Sequence, residues 1–166
     1  MRVNIFSPLC VTPSCIAFKG AAYIYKNARI QGVFRYNTKL FHPKIIIHDG
    51  VTIQQGIHLT CADRIEIGAN TAIAAHVTIT DINHPYSDIS IPVERQDIEV
   101  SQVKIGKDCK IYNNSVILPG VVIGNHVVIG ANSVVTHNIP DYCVAVGCPA
   151  KVIKRYDFEQ NKWIKV

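Results

Sequence analysis

Large aliphatic residues recur along this chain in steps of six. From Ile105 the file runs through Ile111, Ile117, Ile123, Ile129 and Val135 without a miss. The same step links Ile67, Ile73 and Ile79, then Ile47, Ile53 and Leu59, with Ile24 and Ile30 as an N-terminal fragment. Three places after most members stands a residue type that tolerates positive φ: Asn27, Gly50, Gly56, Asn70, His76, Asp108, Asn114, Gly120, His126, Asn132 and Asn138, while Ala62 and Ile82 break the rule where their runs end. One place further on, Val51, Thr71, Val77, Cys109, Ser115, Val121, Val127 and Ser133 are small or β-branched. Each hexapeptide therefore reads as a short strand with one inward aliphatic, a tight corner and a small inward partner.

A chain that turns a corner every six residues and stays parallel to itself winds into a prism. Three sides per coil give eighteen residues per coil. Stacked coils pair in parallel ladders, and the aliphatic positions become files up the interior. The expected fold is all-β, a single parallel β-helix domain over 1–166. Residues 1–44 are read as a cap and partial coil, 45–82 and 103–140 as coils, and 141–166 as a tail. The spacing leaves the hand of the helix undetermined, right-handed crossovers being the general rule. Residues 83–102 (NHPYSDISIPVERQDIEVSQ) break the period and are read as one loop thrown out from a corner. Loops on rigid scaffolds are where function concentrates. In the tail, VIKRYD and KWIKV alternate around FEQN, which predicts a hairpin, or alternatively a short helix.

Composition agrees with this inventory. The 166 residues are 48% hydrophobic and 17% charged, with one Met, one Trp and four Leu, so Ile and Val dominate. Such residues favour strands. The apolar share excludes a disordered chain. No apolar run reaches the roughly 20 residues of a membrane helix, so no membrane span is expected. Pro8 and Pro13 interrupt the N-terminal apolar stretch; no signal peptide is read and a cytoplasmic setting is expected. The net charge of +5 is modest, with Lys151, Lys154, Arg155, Lys162 and Lys165 clustered near the end. That cluster is either a solvated surface or a site for a phosphorylated ligand. No nucleic-acid motif accompanies it. Cysteines 10, 15, 61, 109, 143 and 148 form no CxxC pair and are expected to be small buried residues.

The repeats, together with TDINHP, NNSVILPGVVIGNHVVIGANSVVTHNIP and VGCPAKVIKRYD, resemble the hexapeptide-repeat acetyltransferases, above all the sugar and polysaccharide O-acetyltransferases. The resemblance covers about residues 45–156. It implies a left-handed β-helix, a homotrimer with sites between subunits, acetyl-CoA as donor and a sugar or polysaccharide acceptor. It places the catalytic His in Asn83-His84-Pro85. The chemistry agrees: a sugar hydroxyl is too weak an acid to attack a thioester unaided, and His is the side chain suited to take its proton near neutral pH. Asp81 either orients the imidazole or is an exposed, solvated carboxylate.

By motif, the resemblance also implies coenzyme contacts at Asn113, Ala131, Thr136, His137, Lys151 and Lys154, the lysines meeting phosphates. Gln54, Asp63 and Asn83 are acceptor candidates. Many members read VWIG where this chain has Lys110-Ile111-Tyr112-Asn113, so their Trp is missing, and Tyr112 offers an aromatic surface in a slot where Gly is common. His76 and His126 occupy corner slots and are read as structural; His42, His48, His58 and His137 show no convergent spacing. No metal is expected. Alternative functions are N-acetylation of an amino sugar, a metalloenzyme of the γ-carbonic anhydrase kind, and a non-catalytic scaffold.

Overall fold

The computed structural model describes residues 2–166. Three parallel sheets form the faces of a prism. Face one stacks Val3–Ile5, Ala22–Ile24, Val51–Ile53, Ala72–Ile73, Lys110–Ile111, Val128–Ile129 and Cys143–Gly147. Face two stacks Cys10–Val11, Arg29–Gly32, His58–Cys61, Thr78–Thr80, Val116–Ile117 and Val134–Val135. Face three stacks Ile16–Phe18, Lys44–Ile47, Arg64–Ile67, Val103–Ile105 and Val122–Ile123, extended by a bridge from Ile123 to Ile139. The chain visits the faces in that order six times, then returns to face one. Two coils therefore precede Ile47, where the sequence suggested a cap and a partial coil. Their repeat is hidden because Ala22 and Ala28 fill the small slots while the spacing before Ile24 is irregular.

Register turns the six-residue step into three interior files. On face one Ile24, Ile53, Ile73, Ile111 and Ile129 are successive partners. On face two the file is Val11, Ile30, Leu59, Ile79, Ile117 and Val135. On face three Phe18 is followed by Ile47, Ile67, Ile105 and Ile123. From Ile24 to Val135, every member of these files is 1% exposed or less. Burying each such side chain contributes roughly 1.5–3 kcal/mol, so the files are the main source of stability. The small-slot hydroxyls are satisfied: Thr71 Oγ1 donates to Gly106 O at 2.8 Å, and Ser115 Oγ lies 2.8 and 2.9 Å from Tyr112 O and Gly130 O.

The corner residues adopt the left-handed conformation expected of them, with φ between +54° and +79° from Asn27 to Asn132. Asn side chains add a second reason for their use. Asn70 Nδ2 donates to Asp108 Oδ1, and Asn114 Nδ2 to Asn132 Oδ1, each at 3.1 Å, tying one corner to the next. Asn138 departs from the rule; its side-chain oxygen instead accepts the Val122 N–H at 2.7 Å.

Two excursions, not one, leave the corner between faces two and three. The 83–102 loop has a stem in which Ile82–Asn83 pairs antiparallel with Glu99–Val100. Two coils earlier, Arg35–Tyr36 and Lys39–Leu40 form a hairpin at the same corner. In the coil between them the chain turns tightly through Ala62 and Asp63. The tail is a hairpin: Cys143–Gly147 pairs antiparallel with Ala150–Asp157, which pairs with Lys162–Lys165. His126 stacks on Tyr142 and Trp163, fastening the tail to the prism. All six cysteines are free, and Cys10 and Cys148 are exposed rather than buried, because neither lies in an inward slot. Among the described residues no helix is long and apolar enough to cross a membrane.

Candidate active site

The site begins with the alternation of face two. Leu59 and Ile79 point inward, so their strand neighbours point out. His58 pairs with Thr78 and Thr60 with Thr80, giving a polar outer face two strands wide. Ile82 and His84 continue this surface around the corner. Together the six residues line a concavity of about 290 Å³. Burial, and then the Arg29 guanidinium, push the His58 pKa below the ordinary imidazole value. At neutral pH His58 is a neutral donor and acceptor.

His84 lies where the loop stem opens, half-buried, with its neighbour Asn83 exposed. Its Nδ1 is buried and has no hydrogen-bond partner among the described residues. The ring meets the Tyr36 ring of the hairpin edge-on, centroids 5.3 Å apart and planes at 77°. The sequence held no signal for Tyr36, since its step to His84 crosses two coils. His58, Thr60, Thr78 and Thr80 were accessible to reasoning as the residues flanking Leu59 and Ile79.

Asp81 has a different role from either expected of it. It is fully buried. One carboxyl oxygen accepts the Ala62 N–H at 2.8 Å; the other accepts the Asp63 N–H at 2.8 Å and the Cys61 thiol at 3.3 Å. It is thus neither solvated nor hydrogen-bonded to His84. It staples the corner beneath the loop to the preceding coil, because the tight turn at Ala62–Asp63 leaves two N–H groups facing inward. Burial and the Asp81 carboxyl push the Cys61 thiol far above its ordinary pKa.

The remaining candidates lie at the two corners flanking face two and on the strand added to face one. Asp63 and Asn83 lie at the His84 corner, in successive coils. Gln54 lies at the opposite corner, between faces one and two, where its N–H is bonded to Ile73 O. That opposite edge also carries Asn113 and Ala131, exposed on successive corners linked by the Asn132 N–H to Asn113 O at 2.9 Å. Thr136 follows the last inward residue of face two, and its hydroxyl lies 2.7 Å from His137 Nδ1. Lys151 and Lys154 sit opposite Val146 and Val144, on the strand added to the last coil of face one. Within one chain, Asn113 and Ala131 are separated from His84 by the width of face two, three to four residues or roughly 10 Å. Thr136 and His137 instead lie at the corner between faces two and three, the His84 side, two coils further on. Among the described residues, no three His, Cys, Asp or Glu side chains are grouped to hold a metal ion.

Residues 102–137 match the family described as bacterial transferase hexapeptide, six repeats. Over those residues the chain carries the repeat of the hexapeptide transferases. Its prism is the left-handed parallel β-helix of that family. The match covers the last regular coils, where the period is unbroken. Over 128 residues the chain is 41% identical to a protein of Escherichia coli (strain K12) whose name assigns it to lipopolysaccharide biosynthesis as an O-acetyl transferase. That alignment covers 73% of this chain and 65% of the relative. The galactoside O-acetyltransferase of the same strain is 37% identical, over 65% of this chain and 53% of its own length. Among solved structures, a hexapeptide-repeat acetyltransferase of Vibrio cholerae O1 biovar eltor, complexed with acetyl coenzyme A, is 26% identical. It superposes with a TM-score of 0.59, covering 68% of this chain and 61% of that one. The chain thus spans about half to two thirds of the length of these relatives.

Proposed function

We propose that this hexapeptide-repeat protein moves an acetyl group from acetyl-CoA to a hydroxyl of a sugar or polysaccharide precursor, with His84 as general base. The observation that carries the reading is the position of His84: a half-buried imidazole at the mouth of a hydroxyl-lined concavity on face two. The names of its relatives support the donor and the acceptor class.

In this reading the acceptor hydroxyl approaches over Thr60, Thr78 and Thr80. Their hydroxyls and the neutral His58 give and accept hydrogen bonds without adding charge. His84 removes the hydroxyl proton as the oxygen attacks the thioester carbonyl. Backbone N–H groups stabilise the developing oxyanion. Collapse breaks the carbon–sulfur bond, and the proton held by His84 passes to the departing thiolate. An ester and free coenzyme thiol result, with no covalent enzyme intermediate. Lys151 and Lys154 offer cations to the phosphates of the donor, and Asn113, Ala131, Thr136 and His137 line its approach. Asn113 and Ala131 stand at the far edge of face two from His84, which supports a homotrimer whose sites lie between neighbouring copies. Use of acetyl-CoA as donor supports a cytoplasmic setting.

The test is release of coenzyme thiol from acetyl-CoA against a panel of sugars and oligosaccharides, with identification of the ester formed. His84→Ala is expected to lower turnover about 10²–10⁴-fold, the usual contribution of a general base. Full turnover by that variant with a competent acceptor overturns the assignment.

A further inference from the structure

The corner that carries His84 is built from two segments far apart in sequence. The hairpin Arg35–Tyr36 and Lys39–Leu40 lies against the returning arm of the 83–102 loop. The Tyr36 hydroxyl donates to Glu94 O at 2.8 Å. Asn37, at the hairpin turn with φ +50°, donates through Nδ2 to Arg95 O at 3.1 Å and Gln96 O at 3.3 Å. Lys39 Nζ adds an exposed contact to Asp97 at 3.8 Å. The arm so held leads through buried Ile98 into Glu99–Val100, the strand paired with Ile82–Asn83 immediately before His84. Tyr36 is the one hairpin residue that both bonds the arm and touches the imidazole with its ring.

Among the described residues no other aromatic ring contacts the imidazole. No hydrogen bond to His84 Nδ1 holds its plane, and Asp81, the nearest buried carboxyl in sequence, is committed to the preceding coil. An imidazole without a partner on Nδ1 rotates about its side-chain bonds unless packing prevents it. The Tyr36 ring, itself fixed at its far end by the bond to Glu94, supplies that packing in an edge-to-face geometry favoured between aromatic rings.

We infer that Tyr36 is a positioning residue for His84: the hairpin at residues 35–40 sets the orientation of the general base. This rests on the proposed role of His84. It extends the site to a segment two coils away and assigns the hairpin a function beyond tethering the loop.

Tyr36→Leu removes the ring and the hydroxyl together. It is expected to lower kcat about 10–100-fold, the scale of a small misplacement of a catalytic group. KM for acetyl-CoA should stay within about twofold, because the ring touches His84 and not the donor-binding edge. Tyr36→Phe, which keeps the ring, is expected to retain most of kcat. In a His84→Ala background, Tyr36→Leu should cost nothing further. A residue that only tethers the loop would lower the residual rate as well, so an additive loss overturns the proposal. The His84 ring-proton resonance, in protein labelled at histidine, reads the same contact without activity. The Tyr36 ring current should shift it, Tyr36→Phe should preserve the shift, and Tyr36→Leu should abolish it. An unchanged resonance in Tyr36→Leu, or wild-type kcat while His84→Ala is inactive, refutes the positioning role. Wild-type turnover by His84→Ala instead refutes the function on which it rests. If Tyr36→Leu fails to fold, the phenylalanine variant decides: loss of kcat with the ring retained contradicts the inference.

Discussion

Asp81 offers the sharpest test of how the site is built. Its oxygens accept two backbone N–H groups at 2.8 Å and a thiol at 3.3 Å; Cys61 and Ala62 are buried and Asp63 partly so. Removing the acceptor in Asp81→Ala orphans the Ala62 and Asp63 N–H groups. Each unsatisfied buried donor costs about 1–3 kcal/mol. Relief of the carboxyl's own burial offsets part of that. The expected net loss is therefore about 2–4 kcal/mol. Asp81→Asn keeps the shape and one acceptor oxygen but turns an NH₂ toward the second N–H, for a loss of about 1–2 kcal/mol. Urea unfolding at matched protein concentration measures both, since assembly makes midpoints concentration-dependent. With a slope near 2 kcal/mol per molar urea, the alanine midpoint should fall by about 1–2 M and the slope should not change. At temperatures where each variant is folded, turnover should stay within about tenfold of wild type. A neutral effect of Asp81→Asn on stability combined with a loss of turnover above about 10³-fold would refute the staple. Asp81 would then be acting on the imidazole after all.

Other expectations follow from the same coordinates. A Cβ at Gly106 would lie 2.4 Å from Gly124 O, a backbone atom of the next coil. Gly106→Ala should therefore destabilise by more than the alanine helix and strand scales suggest, about 2 kcal/mol or more by thermal unfolding, and a neutral result would contradict the stacking distance. With a thiol reagent under native conditions, Cys10 and Cys148 should be modified first by peptide mass spectrometry; rapid labelling of buried Cys61, whose thiol is held protonated, would refute its placement. Arg64, bonded to Glu66 at 2.8 Å, holds the Glu66 pKa below its ordinary value of 4.5. The stability this adds is present above pH 4.5 and disappears as pH falls through the depressed value. Arg64→Ala should thus cost about 0.5 kcal/mol at pH 7 and nothing near pH 2.5, measured by urea midpoints at both; an equal loss at the two pH values would rule the ion pair out as the cause.

Much of the architecture was readable as a list of positions. The step from Ile105 to Val135 names the inward residue of each strand, and the Asn, Gly, His and Asp corners name where the chain turns. His76 and His126 were legible as corner residues for the same reason: their backbone φ values are +58° and +54°. The repeated Ile-Gly pairs at 67–68, 105–106 and 123–124 were also visible. Their reason, backbones too close for a Cβ, needs the stacking distance. The buried role of Asp81 is not legible in its neighbours along the chain. Its partners are amides eighteen and nineteen residues earlier, brought beneath it by the coil.

What the sequence by itself determined is whatever recurs locally: the strand length, the inward files, the corners, and a break in the period at Asn83. A six-residue unit carries these because each is a matter of side-chain shape and backbone φ within one turn of chain. The tertiary structure alone decided which residues meet across coils. It put His58 and Thr60 beside Thr78 and Thr80, turned Asp81 inward onto Ala62 and Asp63, and set Tyr36 against His84. Such contacts join residues about eighteen to fifty apart, and no local preference encodes them. They exist because parallel ladders fix each coil's register on the last, so that an excursion from one coil stands directly below an excursion from another.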